Sequence, residues 1–359
     1  MRLYNLTYAT LLSSLSLLTI NSKHCYLNKE ERAIEQVDNL YVIGDSLSDN
    51  GALVGAGTQF FKGNKILPKI QEIKMEEPYH NNQFCNGPNA VSIVANYFHK
   101  PLTPAWKFQK IPFVGKTYQQ IGENYAVGAA RLGYSIYPGG FFVSKFSAQA
   151  QVTSLLSQHK NINDHDWVLY VMGANDLLAV MQDTTSPFLT WKLYLDFAIL
   201  NEKISLMRLL KHHVANIFVT DVPDISETPA YNNDPILETK AAAAFKYFHS
   251  QWKAMIKTLK EDYPKQINDF ELSSVVKQTL NDLGKRGMNI KEGASDISFY
   301  ESFLKDGILQ PKLNPGVTLD TVNNYFFVDT VHPTEIPSKV IGMQLAHFIS
   351  NKIKQNLND

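Results

Sequence analysis

The sequence predicts an α/β chain organised on a parallel sheet, and three observations carry that expectation. Apolar runs rich in β-branched and aromatic residues recur at 40–43, 167–172, 215–220 and 325–328, as in strands covered on both faces. Stretches with helical spacing separate them. Each run stops at a short polar motif containing Gly, Asp or Asn. Strands alternating with helices imply right-handed crossovers and a parallel sheet. In such sheets the reactive crevice lies beyond the carboxyl ends of the strands.

The chain has 359 residues, 44% of them hydrophobic, enough for a large core without disulfide staples. No Pro/Gly/Ser-rich linker divides it, so a single domain over residues 39–353 is expected. Lys+Arg and Asp+Glu each number 34. This formal neutrality argues against a nucleic-acid partner, which calls for a basic excess.

Taken in order, residues 1–22 read as an export signal. Arg2 supplies a thin positive start, and the apolar segment Leu11 to Ile20 is too short and serine-rich to span a bilayer. That makes the chain secreted or periplasmic, against the alternative of an apolar, frayed N-terminus. Residues 23–38 look like a polar tether. The first strand ends in Gly44-Asp45-Ser46-Leu47, with Ser46 expected at a helix N-terminus. Residues 54–83 are irregular and glycine-containing, and read as an excursion over the top of the sheet. Residues 90–99 have helical spacing, with Cys85 just before them read as a buried small side chain. Nothing requires Cys85 to pair with Cys25.

A second strand is expected at Gly122–Gly128, followed by an aromatic, glycine-rich stretch over 133–146 that either packs on the body or lines an apolar groove. Helices are expected at 147–159, 193–212 and 235–263, and a fifth strand at 270–276. Residues 281–322 read as a loop excursion. The last helix starts near Thr334, with Pro337 in its tolerant first turn and Val340, Ile341, Leu345, Phe348 and Ile349 giving a buried stripe.

Four polar motifs therefore meet at one rim, and their residue types suit acyl transfer. Such chemistry needs a nucleophile, a base, a group orienting the base, and donors for an oxyanion. Ser46 suits the nucleophile and His332 the base. Asp329, three residues before His332, suits the orienting carboxylate. The Ser46 N–H, the Gly128 N–H and the Asn175 side-chain amide are the expected oxyanion donors, with no Cβ at 128 to block substrate. Asp45 and Asp49 are read as holding the turn and the helix start. There is no His-Glu-x-x-His, Cys-x-x-Cys or Walker-type loop, so neither a metal nor a cofactor is implied. The absence of Gly-x-Ser-x-Gly around Ser46 argues against an α/β-hydrolase nucleophile elbow.

The ordered set Gly44-Asp45-Ser46-Leu47, Asn124-x-Ala126-x-Gly128, Gly173-x-Asn175-Asp176 and Asp329-x-x-His332-Pro333 resembles the GDSL lipase/esterase family, also called SGNH hydrolases. Ala129 departs from the many relatives with a second glycine there. Phe84-Cys85-Asn86-Gly87-Pro88 and Asp221-Val222-Pro223-Asp224 resemble its bacterial branch of phospholipases A, lysophospholipases and glycerophospholipid:cholesterol acyltransferases. The resemblance implies a three-layer α/β/α flavodoxin-like sandwich and a serine esterase acting on acyl esters of lipids, with transient contact to a membrane surface. A carbohydrate or short-chain esterase, or a catalytically silent membrane-associated binding protein, are the alternatives. The sequence assigns no oligomeric state.

Overall fold

The computed structural model describes residues 29–62, 70, 72–109, 116–133, 144–182, 190–297 and 305–356. In chain order the elements are α1 (Lys29–Glu35), β1 (Leu40–Gly44), α2 (Ala52–Phe61), β2 (Lys74–Met75), α3 (Ala90–Tyr97), β3 (Trp106–Gln109) and β4 (Thr117–Gln120). There follow α4 (Ala148–Gln158), β5 (Trp167–Val171), α5 (Ala174–Met181), α6 (Trp191–Lys211), β6 (Asn216–Thr220) and α7 (Pro235–Asp262). The chain continues through β7 (Ile267–Phe270), α8 (Leu272–Lys285), β8 (Asn289–Gly293), β9 (Ile308–Leu309), β10 (Tyr325–Phe327) and α9 (Glu335–Asn356).

The central sheet has the order β1-β5-β6-β7 and is parallel throughout. Its strands are apolar at successive positions because both faces are covered. On β1, Tyr41 and Ile43 join one core with Val168, Tyr170, Ile217 and Val219, under α2, α4, α5, α6 and α7. The alternate residues Leu40 and Val42 join the other with Leu169, Val171 and Phe218, under α1, α3, α8 and α9. This alternation makes a sheet between two helical layers, the α/β/α sandwich expected.

Several local expectations need correction. Residues 122–130 do not form a regular strand. The segment runs beside β1 through Val42 N–H to Glu123 O at 2.9 Å, Tyr125 N–H to Val42 O at 2.8 Å and Val127 N–H to Gly44 O at 3.3 Å. The Asn124 side chain also breaks the ladder by donating to Ser48 O at 2.7 Å. The fifth strand ends at Phe270, and Leu272 already lies in α8. The carboxylate of Asp221 accepts the Ser273 N–H at 2.9 Å and its hydroxyl, so the first turn of α8 outweighs the strand preference of Val275 and Val276.

The supposed tether contains α1, whose Ala33 is fully buried and whose Glu30 accepts from Ser350 Oγ at 2.9 Å and pairs with Lys354 on α9. Within 54–83, residues up to Phe61 are helical, because Asp49 caps α2. Within 281–322, β8 pairs with β10. The export signal, Cys25 and the aromatic residues 134–143 lie outside the described residues.

Candidate active site

The turn after β1 is one tight coil. Asp45 O accepts the N–H of Ser48 at 3.0 Å and of Asp49 at 2.9 Å. Ser46 therefore sits in a turn preceding α2, rather than on the helix N-terminus itself. The Gln151 amide clamps the strand end, accepting from Gly44 N–H at 2.9 Å and donating to Gly44 O at 2.8 Å. Gly44 is needed there, since a Cβ would lie 2.8 Å from Val171 O.

Ser46 and His332 meet across 286 residues of sequence, with Oγ 2.7 Å from Nε2. His332 Nδ1 lies 2.7 Å from Asp329 Oδ2. The Asp329 carboxylate is fully buried, and its Oδ1 accepts the N–H groups of Val331 and His332, each at 2.8 Å. Tyr79 donates its hydroxyl to Asp329 Oδ2 at 2.6 Å. Burial pushes the Asp329 carboxyl up, but His332, Tyr79 and the Val331 N–H outweigh it and hold the group below the usual range. The Phe84 ring stacks on His332 with centroids 4.9 Å apart, and Tyr79 packs edge-on against Phe84 at 5.4 Å. Tyr79 is a contact that motif reading misses, because it belongs to the stretch read as an excursion, whereas Phe84 opens a motif the sequence singles out without a role for its ring.

The expected donors behave differently from one another. Asn175, in the first turn of α5, donates to Ala130 O at 3.0 Å, leaving its second amide hydrogen. The Ser46 N–H has no acceptor among the described residues. The Gly128 N–H, by contrast, is committed to Asp49 Oδ2 at 2.7 Å. Asp49 also caps α2, accepting from Gly51 and Ala52 at 2.8 Å each. Gly128 is small for another reason than substrate approach: a Cβ there would lie 2.5 Å from the Phe84 ring. The next residue, Ala129, is exposed, holds φ of 62°, and has an N–H with no acceptor among the described residues.

Three more carboxyls lie buried beneath the turn. Burial pushes Asp45 up to about 7, and Asp49 and Asp176 up to about 6. Asp176 accepts from Leu132 N–H at 2.9 Å and from Tyr194 Oη at 3.1 Å, so it fixes the loop after Ala129 rather than merely capping α5. Cys85 is buried, its Sγ 3.6 Å from Ser338 Oγ, and burial pushes its thiol up to about 11. His212 and His213, at the end of α6, are exposed. Among the described residues no group of three or more His, Cys, Asp or Glu is placed to hold a metal ion.

An open cleft leads from Ser46, Asn175 and His332 into the layer between the sheet and α8 and α9. With the open solvent at its mouth included, the cleft spans about 1210 Å³. Val171, Val276, Leu280, Phe327, Ile341 and Leu345 give it an apolar wall. At its rim, Lys277 on α8 pairs with Glu227 at 2.6 Å.

A family model described as GDSL-like Lipase/Acylhydrolase matches residues 40–345. The chain is 24% identical over 324 residues to the secreted effector protein SseJ of Salmonella typhimurium, covering 89% of this chain. It spans 65% of the length of that protein. The match runs from β1 into α9 and takes in all four motifs, and the chain belongs to the GDSL-like lipase/acylhydrolase family of ester hydrolases.

Proposed function

We propose that the chain is a serine esterase cleaving acyl esters of lipids, of the phospholipase A or lysophospholipase type. The observation that carries this reading is the continuous relay from Ser46 Oγ through His332 to Asp329, with both links at 2.7 Å. Ser46 Oγ attacks the ester carbonyl carbon while its proton passes to His332 Nε2. Asp329 holds Nδ1–H and stabilises the imidazolium. The C–O bond of the tetrahedral intermediate breaks, His332 protonates the leaving alcohol, and an acyl ester remains on Ser46. Water, or an acceptor alcohol such as a sterol, repeats the sequence in reverse and frees the serine.

Oxyanion stabilisation falls to the Ser46 N–H, the second hydrogen of Asn175 Nδ2 and the Ala129 N–H, which replaces the Gly128 N–H held by Asp49. Each such donor is worth about 3–4 kcal/mol in the transition state. The apolar cleft beside Ser46 supports an acyl chain over a polar substituent. The name of the Salmonella relative, a secreted effector, is in keeping with export of this chain.

Fluorophosphonate labelling tests the nucleophile: the label should attach to the protein and be lost in Ser46→Ala. Failure of the folded wild type to label would favour a silent binding protein. A lipid panel tests the substrate, with release of fatty acid from lysophosphatidylcholine expected. Turnover confined to acetylated sugars would overturn the lipid assignment.

A further inference from the structure

Helix α6 is apolar on two opposite sides. Leu195, Ala198, Leu206 and Leu209 lie in the core. On the outside, Leu193, Phe197, Leu200 and Ile204 are 42%, 46%, 48% and 40% exposed. Their spacing of four, three and four residues puts them on one helical face, a stripe about 17 Å long at 1.5 Å per residue. A helix that merely closes a sandwich presents polar residues to water.

Four cations and one half-buried carboxylate, Asp196, surround the stripe, so its edges are net positive. At about 100° per residue, Lys192 and Lys203 flank it on one side, Arg208 on the other, and Lys211 closes its C-terminal end. Arg208 donates to two uncharged groups, Gln149 O at 3.2 Å and Thr153 Oγ1 at 2.7 Å, so neither neutralises it. Of the two acids on α6, Glu202 is buried on the inner side, and Asp196 accepts from Tyr247 Oη at 2.8 Å. An apolar stripe edged by cations is the pattern of a helix lying in a membrane interface. No described helix is long and apolar enough to cross one.

We propose that the outer face of α6 docks the protein on an anionic lipid bilayer, with Leu193, Phe197, Leu200 and Ile204 entering the headgroup–acyl boundary and the flanking cations meeting lipid phosphates. The inference deepens, and in its purpose rests on, the lipid-ester reading above. The first turns of α6 adjoin the site, because Tyr194 Oη donates to Asp176, the residue after Asn175. Docking along α6 therefore brings the Ser46 rim to the surface that holds the substrate.

Two measurements test this. Ser46→Ala protein, which leaves the lipid intact, is floated with vesicles of phosphatidylcholine containing roughly one quarter phosphatidylglycerol. Binding should be present, fall with salt, and drop about tenfold or more when Phe197→Glu and Leu200→Glu are added. In the active protein the same pair should leave hydrolysis of soluble p-nitrophenyl butyrate unchanged and cut turnover of vesicle-borne ester about tenfold. Equal flotation of the substituted and parent proteins, equal binding to pure phosphatidylcholine, or no binding at all overturns the proposal. So does sedimentation showing a dimer that the substitutions dissociate, since the stripe would then be a contact between copies. Vesicle binding by Ser46→Ala with no ester hydrolysis by the intact protein would leave docking standing and remove the esterase reading instead.

Discussion

Tyr79→Phe isolates one hydrogen bond in the proposed relay. The substitution keeps the ring that packs against Phe84 and removes only the hydroxyl 2.6 Å from Asp329 Oδ2. That oxygen also faces His332 Nδ1 at 2.7 Å, so the tyrosine withdraws charge that would otherwise act on the imidazolium. A hydrogen bond to a charged group is worth about 1.5–3 kcal/mol. If about one third of 2 kcal/mol passes to the imidazolium, the acid limb of the kcat/KM profile moves up by roughly half a pH unit, at about 1.4 kcal/mol per unit. The Val331 and His332 N–H groups still hold Oδ1, so the alkaline plateau should fall only a few-fold, by about 3–10 times.

The assay is kcat/KM for a soluble p-nitrophenyl ester between pH 5 and 9. Asp45, pushed up to about 7 by burial and itself sensitive to His332, titrates in the same window. The shift should therefore persist in an Asp45→Asn background. An unmoved or lowered acid limb in a folded Tyr79→Phe protein would refute the reasoning. A uniform loss at every pH would reduce Tyr79 to a packing residue.

Gly128→Ala would push a methyl to within 2.5 Å of the Phe84 ring, which stacks on His332; kcat should fall about 10–100-fold with the fold intact by circular dichroism. Ala129→Gly relieves a left-handed backbone and should retain ester hydrolysis while raising stability in urea by up to about 1 kcal/mol. Glu202→Gln should raise the melting temperature at pH 8 and leave it nearly unchanged at pH 4. Glu202 is fully buried, with Oε2 unpartnered among the described residues, and burial raises its carboxyl well above 4.5. The folded state then holds a proton the unfolded chain releases, so stability is full below the unfolded value. It falls by about 1.4 kcal/mol per pH unit above it until the folded value is reached. Thermal scans against pH check it.

The fold was legible because both faces of the sheet are covered: Trp167 to Val171 alternates between two cores and is apolar at every position. Ser46, Asp329 and His332 were legible because a strand end followed by a tight turn leaves a mark within three or four residues. The long-range relations left no such mark. Tyr79 reaches Asp329 across 250 residues, and nothing adjacent to either signals the partner. The commitment of the Gly128 N–H depends on how Asp49 turns its carboxylate after capping α2. At 270–276 the β-branched pair Val275 and Val276 pointed to a strand, whereas a buried aspartate at the end of the neighbouring strand β6 starts a helix at Leu272. Local preference lost to a tertiary hydrogen bond there.

The clasp between α1 and α9, where Glu30 meets Ser350 and Lys354, brings the two ends of the domain side by side. Neither end supplies a group to the rim where Ser46 and His332 meet. The linear order of the motifs is thus incidental to the chemistry. A short peptide bridging α9 back to α1, with fresh termini opened in a distant surface loop, would give a permuted chain with the same rim.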